Sequence, residues 1–398
     1  MGSRTGRPGR RRPPGLARHP HDSPGARRER HADAGSGGCT AGRRAAGGHP
    51  TGRCDGGRAG RPLPAPPVSL VVIGGATATG KSAIAVAVAL ALRERGVTAE
   101  VVSADAMQLY RGMDIGTAKI TPAERQGVPH HLLDVLDIAE ESTAARYRAP
   151  ARRAIDDILD RGGVALLVGG SGFYLDAVLA DRPMPGTDPE IRARIEAETK
   201  RLDPAGLRAR LAAVDPVAAA RIDPRNRRRA IRALEVHAMT GRPFSTFRAD
   251  PGRPWRPHRL YVVEDDRARL DARIADRVRR MWRDGMIAEV RALLARGLRG
   301  APTASRATGY PQAVAQIDGV MDEAEAIAAT TRATTRLVKK QRTWFRRYPE
   351  AVRLRTPAGP GDHAAVDRIV ADVLADRAGR DDARPDAADG GDGEDRTR

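Results

Sequence analysis

The chain has little cysteine, little aromatic surface and almost no lysine. Its two cysteines, Cys39 and Cys54, both precede the first long apolar run, so the foldable part has neither a disulfide framework nor a thiolate metal site. That usage fits a reducing cytoplasm. Aromatics make up 3% of the residues, which argues against an RNA-recognition sheet stacking several bases. The longest apolar run, Ala83 to Leu92, stops at Arg93, well below the roughly 18 residues of a spanning helix, and no membrane association is expected. Five of the 69 basic residues are lysine, so arginine is this chain's default cation and its presence alone carries no chemical message.

What is abundant is positive charge. The 398 residues carry a formal net charge of +19, which taken whole suggests a nucleic-acid binder. Residues 1–67 hold 14 arginines against 4 acids in a Gly/Pro/Arg/Ala-rich stretch that cannot bury enough apolar surface to offset its chain entropy. It is expected to be a disordered, dispensable extension, with no apolar core of a signal peptide. Residues 378–398 hold 4 arginines against 7 acids and are expected to form a disordered acidic tail. The stretch between, residues 68–377, keeps a balance of +12.

The foldable region opens with Ser69 to Ile73, then glycines, then an Ala-rich helical stretch up to Gly96. Further strand-like runs are Glu100 to Ser103, Val164 to Val168 and Arg259 to Val263. Thr121 to Glu124 has the form of a capping box, and Ala144 to Arg161 reads as a helix. Alternating strands and helices predict a parallel sheet covered on both faces. Past Asp181 four Asp-Pro pairs, at Asp188, Asp203, Asp215 and Asp223, each join an N-cap carboxylate to a proline suited to the first helical position. They predict an all-helical insertion over residues 186–255, dividing an α/β core into residues 68–185 and 256–377. Helices are expected around 267–284, 286–296, 322–347 and 363–377.

Gly75, Ala76, Thr77, Ala78, Thr79, Gly80, Lys81 and Ser82 match the phosphate-loop pattern G-x-x-x-x-G-K-[ST] between a buried strand and a helix. Backbone N–H groups can curl around an anion there, Lys81 adds a positive charge, and the Ser82 hydroxyl can ligate Mg²⁺. The fold class expected is thus a P-loop NTPase-like parallel sheet flanked by helices. The chain lacks the Asn-Lys-x-Asp guanine reader of a GTPase, and the strand at 164–168 ends in glycines and a serine where an ATPase has a magnesium-binding aspartate. Both absences lower the expectation of nucleotide hydrolysis. Asp105 follows the second strand, at the edge where ligands bind in open α/β sheets. It suits a general base acting on an amine or hydroxyl, and a loop-capping aspartate fits that feature equally well.

The run Ser103-Ala-Asp105-Ala-Met-Gln108-Leu-Tyr110-Arg-Gly-Met-Asp114-Ile-Gly-Thr117-Ala-Lys119 closely resembles the signature of bacterial tRNA dimethylallyltransferases. Gly127 to Leu132, Gly169 to Leu175, Arg228 to Val236, Arg306 to Tyr310 and Lys339 to Arg346 extend the resemblance in order from about Val68 to about Tyr348. It implies transfer of a dimethylallyl group from dimethylallyl diphosphate to N6 of the adenosine 3′ of the anticodon. Asp105 would be the proton acceptor and Ser171 the hydroxyl beside the reacting centre, with Gly75 to Ser82 on the diphosphate and Ser82 on Mg²⁺. The tRNA anticodon stem-loop would be contacted by Asp105, Ala106, Met107, Gln108, Arg228, Arg229, Arg232, Arg306, Gly309, Tyr310, Lys339, Lys340, Gln341, Arg342, Trp344 and Arg346. Ala76, Ala106 and Ser171 depart from the proline, serine and threonine common in that family. Rival readings are a P-loop small-molecule kinase and a nucleotide-switched RNA-binding protein.

Arg332, Arg336, Lys339, Lys340, Arg342, Arg346 and Arg347 recur at helical spacing, a pattern that is more often a solvated face than a binding one. His130 and His131 look like metal ligands but lack further partners and are expected to be structural. Arg273 and Arg277 are candidates to reach the diphosphate, with surface salt bridging the plainer reading. The protein is expected to be a cytoplasmic monomer. Deleting residues 1–66 is expected to leave prenyl transfer and salt-dependent tRNA binding nearly intact in purified protein; loss of most binding would show that the extension works.

Overall fold

Interior strands of the sheet are apolar along their length because helices cover both faces. The computed structural model describes residues 69–249, 253–359 and 361–381. The 1–67 extension and residues 382–398 of the expected tail lie outside the described residues. β1 (Leu70–Gly75) sends Val71 and Ile73 into one layer and Leu70 and Val72 into the other. After the phosphate loop come α1 (Lys81–Arg93) and β2 (Ala99–Ser103), then the short α2 (Pro122–Arg125) and β3 (His130–His131). Thr121 and Glu124 cap α2 reciprocally. α3 (Ala144–Asp160), β4 (Val164–Gly169) and α4 (Gly172–Leu179) follow.

The two-residue β5 (Ala180–Asp181) then leads into helices α5 (Pro189–Thr199), α6 (Pro204–Val214), α7 (Pro216–Arg221), α8 (Arg227–Thr240) and α9 (Thr246–Ala249). The chain returns through β6 (Arg253–Pro254), which pairs antiparallel with β5 and closes the helical segment at a two-stranded neck. α5 to α8 bury a core of their own, including Ile195, Leu207, Leu211, Ile231 and Leu234.

β7 (His258–Glu264), α10 (Arg267–Arg283), α11 (Met286–Ala295), α12 (Tyr310–Ile317), α13 (Glu323–Phe345), β8 (Val352–Arg355) and α14 (Ala364–Asp381) complete the chain. The six-stranded sheet has the order β3-β2-β4-β1-β7-β8. Every pairing in it is parallel. All its strands therefore end at one edge, and the loops after β1, β2, β4 and β7 meet there. α1 and α14 pack on one face, and α3, α4 and Phe345 of α13 on the other.

Three sequence expectations change. Asp188, Asp203 and Asp215 cap α5, α6 and α7, but Asp223 starts no helix. Its carboxylate takes the Arg225 N–H in an Asx turn, and Asn226 caps α8. Turn and cap compete for the same side chain, and Asn226, placed directly before the apolar face of α8, wins the cap. α14 runs to Asp381, four residues into the expected acidic tail. Its anchored face, Val366, Ile369, Val370 and Val373, outweighs the cost of about 1 kcal/mol for Gly379 inside a helix. β3 and β8, too short or too charged to show an apolar run, extend both sheet edges.

Asp215 is 1% exposed and accepts both Ala218 N and Ser245 N. Asp215→Ala is thus expected to cost roughly 2–3 kcal/mol, and Asp223→Ala about 0.5 kcal/mol or less, although both residues open an Asp-Pro pair. Urea unfolding of the two variants checks the difference.

Candidate active site

The loop between β1 and α1 is held from several sides. Thr79 Oγ1 and Lys81 Nζ both donate to Ala76 O, at 2.9 and 2.6 Å, and Thr356 Oγ1 donates to Thr79 O at 3.1 Å. Gly80 and Ala78 take positive φ, +86° and +66°, which turns the chain into α1. The first-turn N–H groups of α1 have no acceptor within the helix and carry its positive dipole end. The Ser82 hydroxyl is exposed in that first turn. Burial, and then the Arg277 guanidinium, push the Lys81 pKa down to about 7, with Asp105 pulling the other way.

Asp105 stands in the loop after β2, half-exposed, with Oδ1 accepting Met107 N at 2.9 Å. That bond is the Asx-type turn of a loop-capping aspartate, and it leaves the other carboxylate oxygen open. Behind it Tyr147 donates to Ser103 O at 2.7 Å, and its ring lies 4.9 Å from that of Tyr174. Burial, then Tyr174 and Asp105, raise the Tyr147 pKa well above the ordinary value. Tyr174 is pushed up to about 12, chiefly by burial, so both phenols stay neutral. Ser171 precedes α4 at the end of β4, and its hydroxyl makes no capping bond.

α13 packs across these strand ends. Gln341 Oε1 accepts the Thr77 N–H of the phosphate loop at 2.9 Å. A Cβ on Gly170 would come within 2.6 Å of Gln341 Nε2, and one on Gly172 would collide with the Trp344 ring. Gln341 and Trp344 are thus seated in the site, whereas Lys339, Lys340, Arg342 and Arg346 are exposed and make no ion pair among the described residues. Other arginines are held in ion pairs, as Arg299 is with Asp318.

α10 supplies a second cationic wall. Arg277 Nη1 lies 3.0 Å from Thr77 Oγ1, and Arg273 approaches Gly80. With Arg269, Arg280 and Ala78 they line a cavity of about 530 Å³ beside the loop. The plainer reading of these residues as surface salt bridges fails for Arg277, which turns inward to the loop. Arg273 keeps only a loose 3.9 Å pairing with Asp265.

Other predicted residues are placed differently from one another. Arg228 and Arg229 are exposed on α8, but Arg232 lies against the fully buried Glu235 at 2.9 Å and donates to Pro185 O. Gln108 spans its own loop, donating to Thr117 O and Ala118 O, and Ala106 and Met107 are half-buried beside it. Arg306 is exposed, while Gly309 caps α12 and Tyr310 is 0% exposed. His131 meets Glu100 at 2.6 Å and His130 the Val128 carbonyl at 2.8 Å.

Sequence reasoning passed over Glu289. From α11 its carboxylate accepts the N–H groups of Asp114, Ile115 and Gly116, at 2.9, 2.7 and 3.1 Å, and the Tyr310 hydroxyl at 2.7 Å. One side chain joins the Ser103–Lys119 signature to the Arg306–Tyr310 segment. A lone Glu on an amphipathic helix gives no such signal, because its partners lie more than 170 residues away on one side.

Parallel strands, a glycine-rich strand–loop–helix and a carboxylate at the same edge define a transferase-type site on a P-loop fold. A family profile described as IPP transferase matches residues 108–348. A tRNA dimethylallyltransferase of Kineococcus radiotolerans is 55% identical over 311 residues, covering 78% of this chain and 97% of that protein. A solved full-length tRNA isopentenylpyrophosphate transferase from Bacillus halodurans is 34% identical, covers 78% of this chain and 99% of its own, and superposes with a TM-score of 0.56. A eukaryotic dimethylallyltransferase acting on tRNA shares the fold with a TM-score of 0.66 at 23% identity, over 78% of this chain and 79% of its own. The chain belongs to the IPP transferase family.

Glu289→Ala is expected to lower the unfolding free energy by roughly 3 kcal/mol. Tyr310→Phe, which removes one of the four bonds, should cost roughly 1 kcal/mol. Equal losses in denaturant titrations would contradict this division.

Proposed function

We propose that the protein is a tRNA dimethylallyltransferase, moving a dimethylallyl group from dimethylallyl diphosphate to N6 of the adenosine 3′ of the anticodon. The observation that carries the reading is the meeting, at one sheet edge, of an anion-binding loop, an open carboxylate and a helix of unpaired cations. A kinase has no use for that helix, and an RNA-binding switch has none for an open carboxylate, Asp105, at the same edge as Lys81.

N6 is a weak nucleophile because its lone pair is delocalised into the purine ring, so orientation and a nearby acceptor matter most. As the N6–carbon bond forms, the bond from carbon to the diphosphate oxygen breaks, and the N6 proton passes to the open Asp105 oxygen. The Ser171 hydroxyl is free to hydrogen-bond beside the reacting centre. Charge grows on the leaving diphosphate, where Lys81, the loop N–H groups, Arg277 and Arg273 can stabilise it. The exposed Ser82 hydroxyl fits Mg²⁺, which takes few protein ligands and leaves the rest to phosphate and water. When bound there it would neutralise leaving-group charge.

On the RNA side, exposed Arg228, Arg229, Arg306, Lys339, Lys340, Arg342 and Arg346 are suited to phosphates, in line with the helical insertion and α13 both holding the stem-loop. Arg232, Gln108, Gly309 and Tyr310 support these surfaces from inside. The target base leaves its stack to reach Asp105. The enzyme acts as a cytoplasmic monomer.

Asp105→Asn is expected to abolish prenyl transfer in single-turnover assays while tRNA affinity stays within about twofold. Large affinity loss with normal turnover would contradict the role given to Asp105. A second test uses Lys81. An anion restores its ordinary pKa, so binding takes up a proton, and affinity falls as pH rises above 7, by up to about tenfold per unit. Calorimetry with inorganic diphosphate should show this steepness in the wild type and lose it in Lys81→Met. An identical pH profile in both would contradict it.

A further inference from the structure

Phe173 is 50% exposed and is the one exposed aromatic among the described residues. Single exposed apolar side chains are ordinary, but this one has a particular setting. It is the second residue of α4, two positions after Ser171. Its ring and that of Trp344 meet near-perpendicular, 6.4 Å between centroids at 76°. Trp344 is itself fixed, with Gly172 leaving room for its ring on one side and the Arg347 guanidinium 4.9 Å over it. Half of Phe173 stays exposed beside this contact, and Lys340 and Arg347, both exposed, lie one helical turn either side of Trp344 on the same face of α13 and its C-terminal turn.

We propose that Phe173 is a stacking platform for a nucleobase adjoining the acceptor adenosine, braced from behind by Trp344. The inference rests on the RNA substrate proposed above. An unpaired loop base offers what this surface can use: a π-face for the ring and flanking phosphates for Lys340 and Arg347. Stacking is tolerant of base identity, so the platform would hold the opened loop in place without reading sequence. Flipping the target removes a stacking partner from its neighbour, and Phe173 would replace that partner.

The test uses unmodified synthetic anticodon stem-loops, intact or carrying an abasic site immediately 5′ or 3′ of the acceptor, with dimethylallyl diphosphate. Phe173→Ala is expected to raise KM for the intact stem-loop roughly tenfold with little change in kcat, and Phe173→Trp to restore it. On the stem-loop lacking the stacked base, wild type and Phe173→Ala should converge. 2-Aminopurine placed at that position should be quenched by the wild type and not by Phe173→Ala. An unchanged KM, as for a face that docks another protein, or the same penalty on both abasic stem-loops, overturns the proposal. If the wild type itself makes no prenylated adenosine, the proposed function fails instead.

Discussion

The site depends on how closely α13 can approach the ends of β1 and β4. Gly170 and Gly172 leave the space that Gln341 and Trp344 fill. A methyl group at Gly172 would collide with the Trp344 ring and push the helix away from the strand ends, whereas one at Gly170 meets mainly the end of the Gln341 side chain. With the helix seated, Gln341 holds the Thr77 N–H, and the unpaired Arg342 of the same helix lines a hollow with Gly75, Ala76 and Thr79 of the glycine-rich loop. Two polyanionic groups of different size can then be gripped by neighbouring surfaces, which is the geometric requirement for transfer between a diphosphate and a nucleic acid.

The cations differ in what surrounds them. Arginines such as Arg192 and Arg232 neutralise the fully buried Glu235 and hold the helical insertion together. Arg273 and Arg277 face the loop cavity, and those on the outer side of α13 remain unpaired. Of the net +12 of residues 68–377, the unpaired cations are the ones able to lend affinity for phosphates. Lys81 is a special case, since burial beside Arg277 keeps its charge marginal until an anion arrives.

Much of this was legible in the sequence where it depends on local order. The apolar runs marked the central strands, the glycine pattern marked the phosphate loop, and three of four Asp-Pro pairs marked helix starts. Asp223 misled because turn and cap use the same atoms. β3 and β8 have too few residues to show a period. Glu289 and the inward turn of Arg277 could not be read, because each acts on residues far along the chain. Tyr310 lies inside a family-like motif, yet it works through Glu289 from the interior.

The most direct test of the account is Gly172→Ala, which adds one methyl group where Trp344 sits. Prenylated adenosine formed from unmodified tRNA and dimethylallyl diphosphate would be measured by nucleoside mass spectrometry, alongside binding of inorganic diphosphate. The variant is expected to fold, to bind diphosphate within about twofold of the wild type and to transfer the prenyl group roughly a hundredfold more slowly, the penalty for misplacing reactants by about an ångström. Wild-type transfer rates in that variant would contradict it.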